Sequence, residues 1–219
     1  MPDDFLQLVT LASAENDLTV SDARKMIQII SRLFRQTMLE AGHDARQITR
    51  ITTKFRDSGR RSPPWWPASS RVPGRPQDGA DGNRISRWLL EEGHKFYANE
   101  TAATLVEVKY YLQAFSMTGA PSIPSEVSVA FSWLIEHPVE PGVYFDPIQV
   151  IPINLHEIVA DARLIQSGHL IPLDRGGRHE PKNAFLMLAR SNQLQGNLTV
   201  DELLRLMQDM TYPRRLYQS

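Results

Sequence analysis

The chain has 219 residues, enough for one large domain or two small ones with a sizeable apolar core. It contains no cysteine, which excludes a disulfide framework and a thiolate metal site. Its net charge of −1 is unusual for a protein that coats nucleic acid indiscriminately.

The apolar runs and the N-terminal residues do not lead us to expect a membrane or export signal. No apolar stretch approaches the roughly 18 residues that a membrane-spanning helix needs. The N-terminal residues begin acidic and lack the basic segment of a signal peptide. We therefore expect a cytoplasmic protein.

The first 56 residues have helical periodicity. Apolar residues between Phe5 and Leu11 indicate a short first helix. A longer helix is expected to begin at an N-cap at Ser21 and to end at Gly42. Asp44 is expected to cap a third helix that reaches about Arg56.

Later segments divide the chain into two regions. Helical patterning returns over 84–97, 101–117 and 125–136, whereas from Gly142 short apolar stretches alternate with turns. The sequence predicts an α+β fold with a mainly helical region, 1–140, that serves DNA recognition or dimerisation. It predicts a compact ββα unit within 141–219, followed by a helix near 199–210.

A basic segment runs from Arg46 to Arg87, where nine arginines and one lysine face three aspartates, giving about +7. Within it, residues 58–83 hold five prolines and four glycines, which predicts a long loop. Two interpretations of this loop remain open. Its tryptophans pack it against the helices, or the loop contacts DNA through arginines and indoles. The candidate DNA-binding residues are Arg60, Arg61, Trp65, Trp66, Arg71 and Arg75.

Residues 32–56 also faintly resemble a helix-turn-helix, whose second helix would offer Arg46, Gln47, Arg50 and Lys54. This pattern is common by chance, and an ordinary helical hairpin is the favoured interpretation.

The most informative stretch is 168–196, GHLIPLDRGGRHEPKNAFLMLARSNQLQG. His169 ends an apolar run and precedes a charged Gly-Gly turn. Asn183 closes the loop before a second apolar run, and Asn192 follows nine positions later. These residue types and spacings resemble the HNH, or ββα-metal, family of nucleases. The resemblance covers roughly 145–205, where 144–149 occupies the place of a short knuckle before the first strand.

The resemblance implies roles for individual residues. His169 matches the general base, and Asn183 matches the asparagine that ties the loop to the histidine strand. Asn192 matches the metal ligand, and Asp174 is a further candidate ligand. The expected cofactor is a divalent cation, Mg²⁺ with Mn²⁺ as a substitute. Arg175 and Arg178 are expected to clamp the phosphate.

The chain departs from the family pattern at Gly168, since many members have a metal-binding aspartate before the base. The sugar-non-specific branch of ββα-metal nucleases also has Gly-His and relies on an asparagine ligand and waters. His179 in the Gly-Gly loop has two interpretations, a role at the site or a solvent-exposed loop histidine. The second is the favoured interpretation.

The resemblance implies a metal-dependent endonuclease that acts on double-stranded DNA and leaves 5′-phosphate ends. Near-neutral charge and arginine usage favour a sequence-specific, type II restriction-like enzyme, for which a palindromic site implies a homodimer. Two alternatives stay open. One is a non-specific nuclease, and the other is a DNA-binding module with a decayed nuclease site.

Overall fold

The computed structural model describes residues 2–13, 17–63 and 84–216, with side chains from Phe5 onward and up to Thr211 within those ranges. Four of the predicted DNA-binding residues lie outside the described residues: Trp65, Trp66, Arg71 and Arg75.

Helices dominate these ranges, and one antiparallel sheet of two strands lies near the C-terminal end. The strands are β1 (Ile165–His169) and β2 (Ala184–Leu188). The helices are α1 (Pro2–Ala12), α2 (Val20–Glu40), α3 (Ala45–Arg60), α4 (Glu100–Phe115), α5 (Ser125–Ala130), α6 (Ser132–Ile135), α7 (Leu155–Ala160), α8 (Ala189–Gln195) and α9 (Val200–Leu216).

The capping residues decide where α2 and α3 begin. Thr19, and not the predicted Ser21, caps α2, because Thr19 and Asp22 bond each other's backbone N–H groups in a capping box. The predicted cap of α3 is confirmed, since Asp44 accepts from the backbone N–H of Arg46 at 2.8 Å. Helix α3 continues past the predicted end to Arg60, so the first residues of the predicted loop are helical.

The helix predicted over 84–97 is wrong. Only a single 3₁₀ turn, Arg87–Leu89, forms there, and turns follow it. The reason is that Arg87 is drawn into the interior, where it bonds backbone carbonyls, while Gly93 interrupts the chain between charged residues. The segment 125–136 is likewise split, into α5 and α6.

Helix α4 is the centre of the core. Every residue from Ala103 to Phe115 is buried, and α2 and α3 both pack against this helix. Edge-to-face rings join the three helices, with Phe34 5.3 Å from Tyr111 and Phe55 5.1 Å from Tyr111 between ring centroids. The main apolar cluster extends from Leu8 to Leu186, so it crosses the predicted boundary near residue 140.

None of the helices in residues 2–13, 17–63 and 84–216 combines the length and apolar character that crossing a bilayer requires.

Candidate active site

The predicted site residues come from the hairpin of β1 and β2 and from helix α8, which follows it. Neighbouring residues of β1 lie on opposite faces of this hairpin. Gly168 pairs with Phe185, and His169, the last residue of β1, pairs with Ala184. Because successive strand residues point to opposite sides, Gly168 faces α8 and His169 faces away from it.

His169 is held by a second histidine. His169 Nε2 lies 2.9 Å from His179 Nδ1, and His179 Nε2 lies 2.6 Å from the carbonyl oxygen of Gly59 at the end of α3. A carbonyl only accepts, so His179 carries its proton on Nε2 and its Nδ1 lone pair accepts from His169 Nε2–H. The lone pair of neutral His169 is therefore on Nδ1.

Both rings are kept neutral by their surroundings. Burial, and then the nearby Arg87 guanidinium, lower the pKa of His169 to about 3. The same two causes lower the pKa of His179 well below its ordinary range. The expectation that His179 is a solvent-exposed loop histidine is wrong, since its exposed fraction is 1%. The physical reason is that the end of α3 covers the loop, and the Gly59 carbonyl accepts a hydrogen bond from His179 Nε2–H.

Asn183 organises the loop between the strands. Its Oδ1 accepts from the backbone N–H of Ile171 at 2.8 Å, and its Nδ2 donates to the carbonyls of Ile171 and Arg178 at 3.0 and 2.8 Å. The loop turns at Gly176, whose φ is +83°, and Gly177 lies against the carbonyl of Ile171, where a Cβ would clash. The Gly-Gly pair thus permits the contacts that Asn183 makes.

Helix α8 is fixed across β1 by two amide side chains. Asn192 Nδ2 donates to Gln166 Oε1 at 2.7 Å, which leaves its Oδ1 on the side of Gly168. Gln195 Nε2 donates to the backbone carbonyl of His169 at 2.7 Å. Strand β1 is therefore tied to α8 at two points, at Gln166 near its start and at the His169 carbonyl at its end.

The space beside Gly168 is already filled. A Cβ there would clash with the Met187 side chain and would lie 3.1 Å from Asn192 Oδ1. Met187 is fully buried, so it has little room to move. An aspartate at position 168 therefore does not fit this packing, which gives a physical reason for the departure from the family pattern.

The segment 144–149 contacts the end of β2 and the start of α8. Buried Asp146 accepts from the backbone N–H of Leu188 at 2.8 Å and from Ser191 Oγ at 2.7 Å. Its carboxylate also closes its own turn by accepting from Ile148 and Gln149 N–H. This carboxylate positions the start of α8 and does not line the cleft.

His169 and Asn192 line one cleft of about 550 Å³ between the hairpin, the end of α3 and the 3₁₀ turn. Three of the lining residues are cations: Arg61, Arg84 and Arg87. Arg87 is 3% exposed, and its guanidinium donates to the carbonyls of Phe96 and Ser58. Its Nε has no partner in the described part of the chain. Burial lowers its pKa to about 10, which leaves it cationic at neutral pH.

Only some of the other predicted site residues line this cleft. Asp174 lines it but forms an ion pair with Lys95 at 2.5 Å. Arg175 forms a bidentate pair with Glu202, at 2.6 and 2.9 Å, and neither Arg175 nor Arg178 is a lining residue. Arg61 lines the cleft, whereas Arg60 points into a separate groove.

Three contributors were missed by sequence reasoning: Arg84, Arg87 and Gln195. A sequence signal existed for Gln195, since it follows Asn192 by three positions and so lies on the same helix face. No local signal marks Arg87, whose partners are the carbonyls of Ser58 and Phe96.

No protein-family model and no curated protein matches this chain. The structure is similar to the crystal structure of a type II restriction endonuclease, with 18% sequence identity and a TM-score of 0.47 over 60% of this chain. The chain spans 62% of the length of that endonuclease. A likeness at this level establishes neither a family nor an activity.

Proposed function

We propose that this chain is a metal-dependent DNA endonuclease whose β1, β2 and α8 form an HNH-type ββα-metal site. The observation that carries the proposal is that His169 and Asn192 line the same cleft as three arginines. A neutral imidazole can activate water, an amide oxygen can bind a metal ion, and guanidinium groups can stabilise the charge that develops on a phosphate.

His169 acts as the general base in this proposal. Its Nδ1 accepts a proton from the water that attacks phosphorus, while Nε2–H stays bonded to His179. That bond keeps the ring in one orientation and in one tautomer. A pKa of about 3 makes the free imidazole a weak base that is never blocked by protonation at neutral pH. A bound phosphate would raise this pKa toward the working range, because its negative charge favours the imidazolium.

In this proposal the cleft would hold a hard cation that keeps most of its water. Within residues 2–13, 17–63 and 84–216 there is no cluster of three or more histidines and carboxylates that could hold a metal ion. Asn192 Oδ1 would then be the protein ligand, although it lies on the Gly168 side of β1 and the His169 ring lies on the other, and Asp174 would have to leave Lys95 to join it. Mg²⁺ commonly binds through one or two protein oxygens together with water and phosphate oxygens. When bound, such an ion stabilises the charge of the transition state and the leaving oxygen.

Arg87 neutralises the phosphate in this proposal. Its charge is buried among carbonyl groups with no carboxylate paired to it in the described ranges, and an unpaired buried cation is costly. A phosphate oxygen in the cleft would relieve this cost through a charge-assisted bond to the guanidinium. Arg61 and Arg84 at the same cleft add charge of the same sign.

We infer a double-stranded DNA substrate, cleavage at a specific sequence, products with 5′-phosphate ends and a homodimer that cuts both strands. Incubating one supercoiled plasmid with the protein and Mg²⁺ or Mn²⁺, with EDTA as the control, tests these points together. Discrete bands are expected, and sequencing of their ends gives the site and the stagger. Protein that binds DNA but stays inert with both metals would overturn the enzyme assignment.

The second candidate is a non-specific nuclease, which the glycine before His169 favours because the sugar-non-specific branch has the same Gly-His pair. The same digestion separates the two candidates. A smear at the lowest active protein concentration supports the non-specific enzyme and contradicts sequence specificity.

A further inference from the structure

Ser167 is a cleft residue to which the proposed function gives no role. It lies on β1 two positions before His169, so the two side chains are on the same face of the strand. Both line the cleft of about 550 Å³, and Arg87 lines it with them. A hydroxyl group, an imidazole and a guanidinium therefore border the same space.

Tyr110 of α4 is hydrogen bonded to this serine. Its ring is fully buried and does not line the cleft, and its hydroxyl bonds Ser167 Oγ. Within residues 2–13, 17–63 and 84–216 the Tyr110 hydroxyl has no other hydrogen-bond partner. Burial raises the pKa of Tyr110 to about 12, so the phenol keeps its proton at neutral pH.

The surroundings of the two hydroxyl groups decide the direction of this bond. Tyr110 has no access to water, and a buried O–H that lacks an acceptor is costly. Ser167 is only half-buried at the cleft, where its own hydrogen can reach water or a ligand. Tyr110 therefore donates to Ser167 Oγ, and the Ser167 hydrogen is left for the cleft.

Arg87 lies near both residues of this β1 face. After burial, its charge is the further cause of the lowered pKa of His169. The same charge also acts on Tyr110, where it opposes the burial that raises the pKa. Ser167 and His169 are about 7 Å apart along the strand, at about 3.4 Å per residue. A phosphate beside Arg87 can thus offer one non-bridging oxygen to the guanidinium and the other to the serine.

We propose that Ser167 is a phosphate-binding residue of the cleft, which donates its O–H to a non-bridging oxygen of a phosphodiester held by Arg87. Tyr110 is the positioning residue that acts through it, because it occupies a lone pair of Ser167 Oγ and so directs the serine hydrogen outward. The choice of a nucleic-acid phosphate rests on the proposed function. In this role Ser167 forms and breaks no covalent bond.

Thermal unfolding tests the direction of the bond. S167A leaves the Tyr110 O–H without an acceptor and is expected to lower the Tm. Y110F removes that donor, so S167A/Y110F is expected to melt above S167A. The matched control is S167A/Y144F, which removes instead a buried hydroxyl that donates to the Leu186 carbonyl, and it is expected to melt below S167A. A lower Tm for S167A/Y110F than for S167A would overturn the assigned direction.

Phosphate binding is measured by the anisotropy of a fluorescent 30-base-pair duplex in EDTA, where no metal supports cleavage. S167A/Y110F leaves no buried donor without a partner, and it is expected to weaken binding about tenfold or more, the usual effect of losing a hydrogen bond to a charged group. S167T keeps the hydroxyl and is expected to stay within threefold of the original chain. The control S132A/Y144F removes the same two kinds of hydroxyl outside the cleft lining, and it is expected to stay within twofold.

The salt dependence separates a neutral donor from a cation. Loss of the Ser167 hydroxyl changes no charge, so the slope of log K against log salt is expected to stay the same, whereas R61Q should reduce it by about 0.9. Unchanged duplex affinity in S167A/Y110F would overturn the proposal. A loss equal to that of S132A/Y144F would overturn it as well, because a general loss of packing then explains the weaker binding.

Mass spectrometry of protein denatured during incubation with plasmid and Mg²⁺ tests whether Ser167 reacts. A phosphoserine at position 167 would overturn the binding role, since the hydroxyl would then be the nucleophile. The binding and unfolding measurements need no cleavage. A chain that loses duplex affinity in S167A/Y110F but never cleaves contradicts the nuclease assignment alone. A chain that cleaves equally well with and without these two hydroxyl groups contradicts the role of Ser167 alone.

Discussion

His169 Nε2 and His179 Nδ1 lie 2.9 Å apart, and through this bond the last residue of β1 is connected to the final turn of α3. The acceptor of His179, the Gly59 carbonyl, is 120 residues away in sequence. The tautomer of the proposed base is therefore set by the helical region and not by the ββα unit alone.

Replacement of His169 by alanine is expected to reduce cleavage by about 10²–10⁴-fold, because it removes the group that accepts the proton of water. DNA affinity in EDTA is expected to change less than twofold. Plasmid nicking and duplex anisotropy measure the two quantities. H137Q, a histidine change outside the lining of the cleft, serves as control. Retained cleavage in H169A would mean that another group is the base.

Variants of His179 test its positioning role. In H179A the His169 ring loses its hydrogen-bond acceptor and becomes hydrated, so the lowered pKa of His169 rises back toward 6.5. The acid limb of the kcat/KM profile is then expected to move to higher pH, with a fall in kcat of roughly tenfold or more. H179N keeps an acceptor for His169 and is expected to restore the low acid limb. H179Q carries its amide nitrogen at the same distance along the side chain as the ring Nε2, so it tests the bond to the Gly59 carbonyl instead. Restoration by glutamine and not by asparagine would contradict the assigned role.

Replacement of Arg87 by glutamine is expected to lower cleavage by about 10²–10³-fold, the usual cost of removing a donor to the charge that forms in a transition state. R61Q, which changes a more exposed cation of the same cleft, is expected to cost less than tenfold. Both rates are measured on one duplex under single-turnover conditions. A lower melting temperature of R87Q with an unchanged rate would assign Arg87 a structural role only.

Glu107 is expected to make stability fall as pH rises from 4.5 to 7. Burial raises its pKa from the ordinary 4.5 to about 7 in the fold, so in this window the unfolded chain has lost a proton that the native chain keeps. The difference in unfolding free energy between the original chain and E107Q should shrink by roughly 3 kcal/mol across the window. Urea unfolding at several pH values measures it. The difference is the informative quantity, because His169 and His179 titrate with opposite sign below pH 6.5. A constant difference would contradict the assignment.

Substitution at Gly168 is expected to be destabilising through Met187. G168A introduces a methyl group into occupied space and should cost about 1–3 kcal/mol of unfolding free energy. M187A alone is destabilising because it leaves a cavity. In the double variant the alanine methyl enters that cavity, so the two costs should not add. Strict additivity in a double-mutant cycle would show that Met187 is not what excludes a side chain at 168.

Elements whose determinants lie close together in sequence could be predicted. The cap that Asp44 forms on α3 could be predicted, because its N–H partners are two and three residues away. The hairpin and α8 lie where 168–196 suggested, since the Gly-Gly turn and the apolar runs are contiguous. The contacts of Arg87 and His179 could not be predicted, because their partners come from distant segments.

Partners from distant segments also explain why Arg175 and His179 lie in environments that the sequence did not predict. Arg175 was expected at the phosphate, but Glu202 in the first turn of α9 binds both arms of its guanidinium. A glycine-rich loop normally lies at the surface, so the sequence predicts a solvent-exposed side chain for His179, and that prediction is wrong. Only the packing of α3 over that loop reverses the expectation.

Gly59 is where α3 lies against α4, since a Cβ there would be 2.7 Å from Glu107 Cβ and 2.9 Å from its Cα. The next residue, Arg60, forms an ion pair with Glu107, while the Gly59 carbonyl accepts from His179. One methyl group at position 59 would thus push the helix end outward and pull the acceptor away from His179. The nuclease chemistry proposed for β1 is in this sense sensitive to the separation of two helices that contribute no reacting atom.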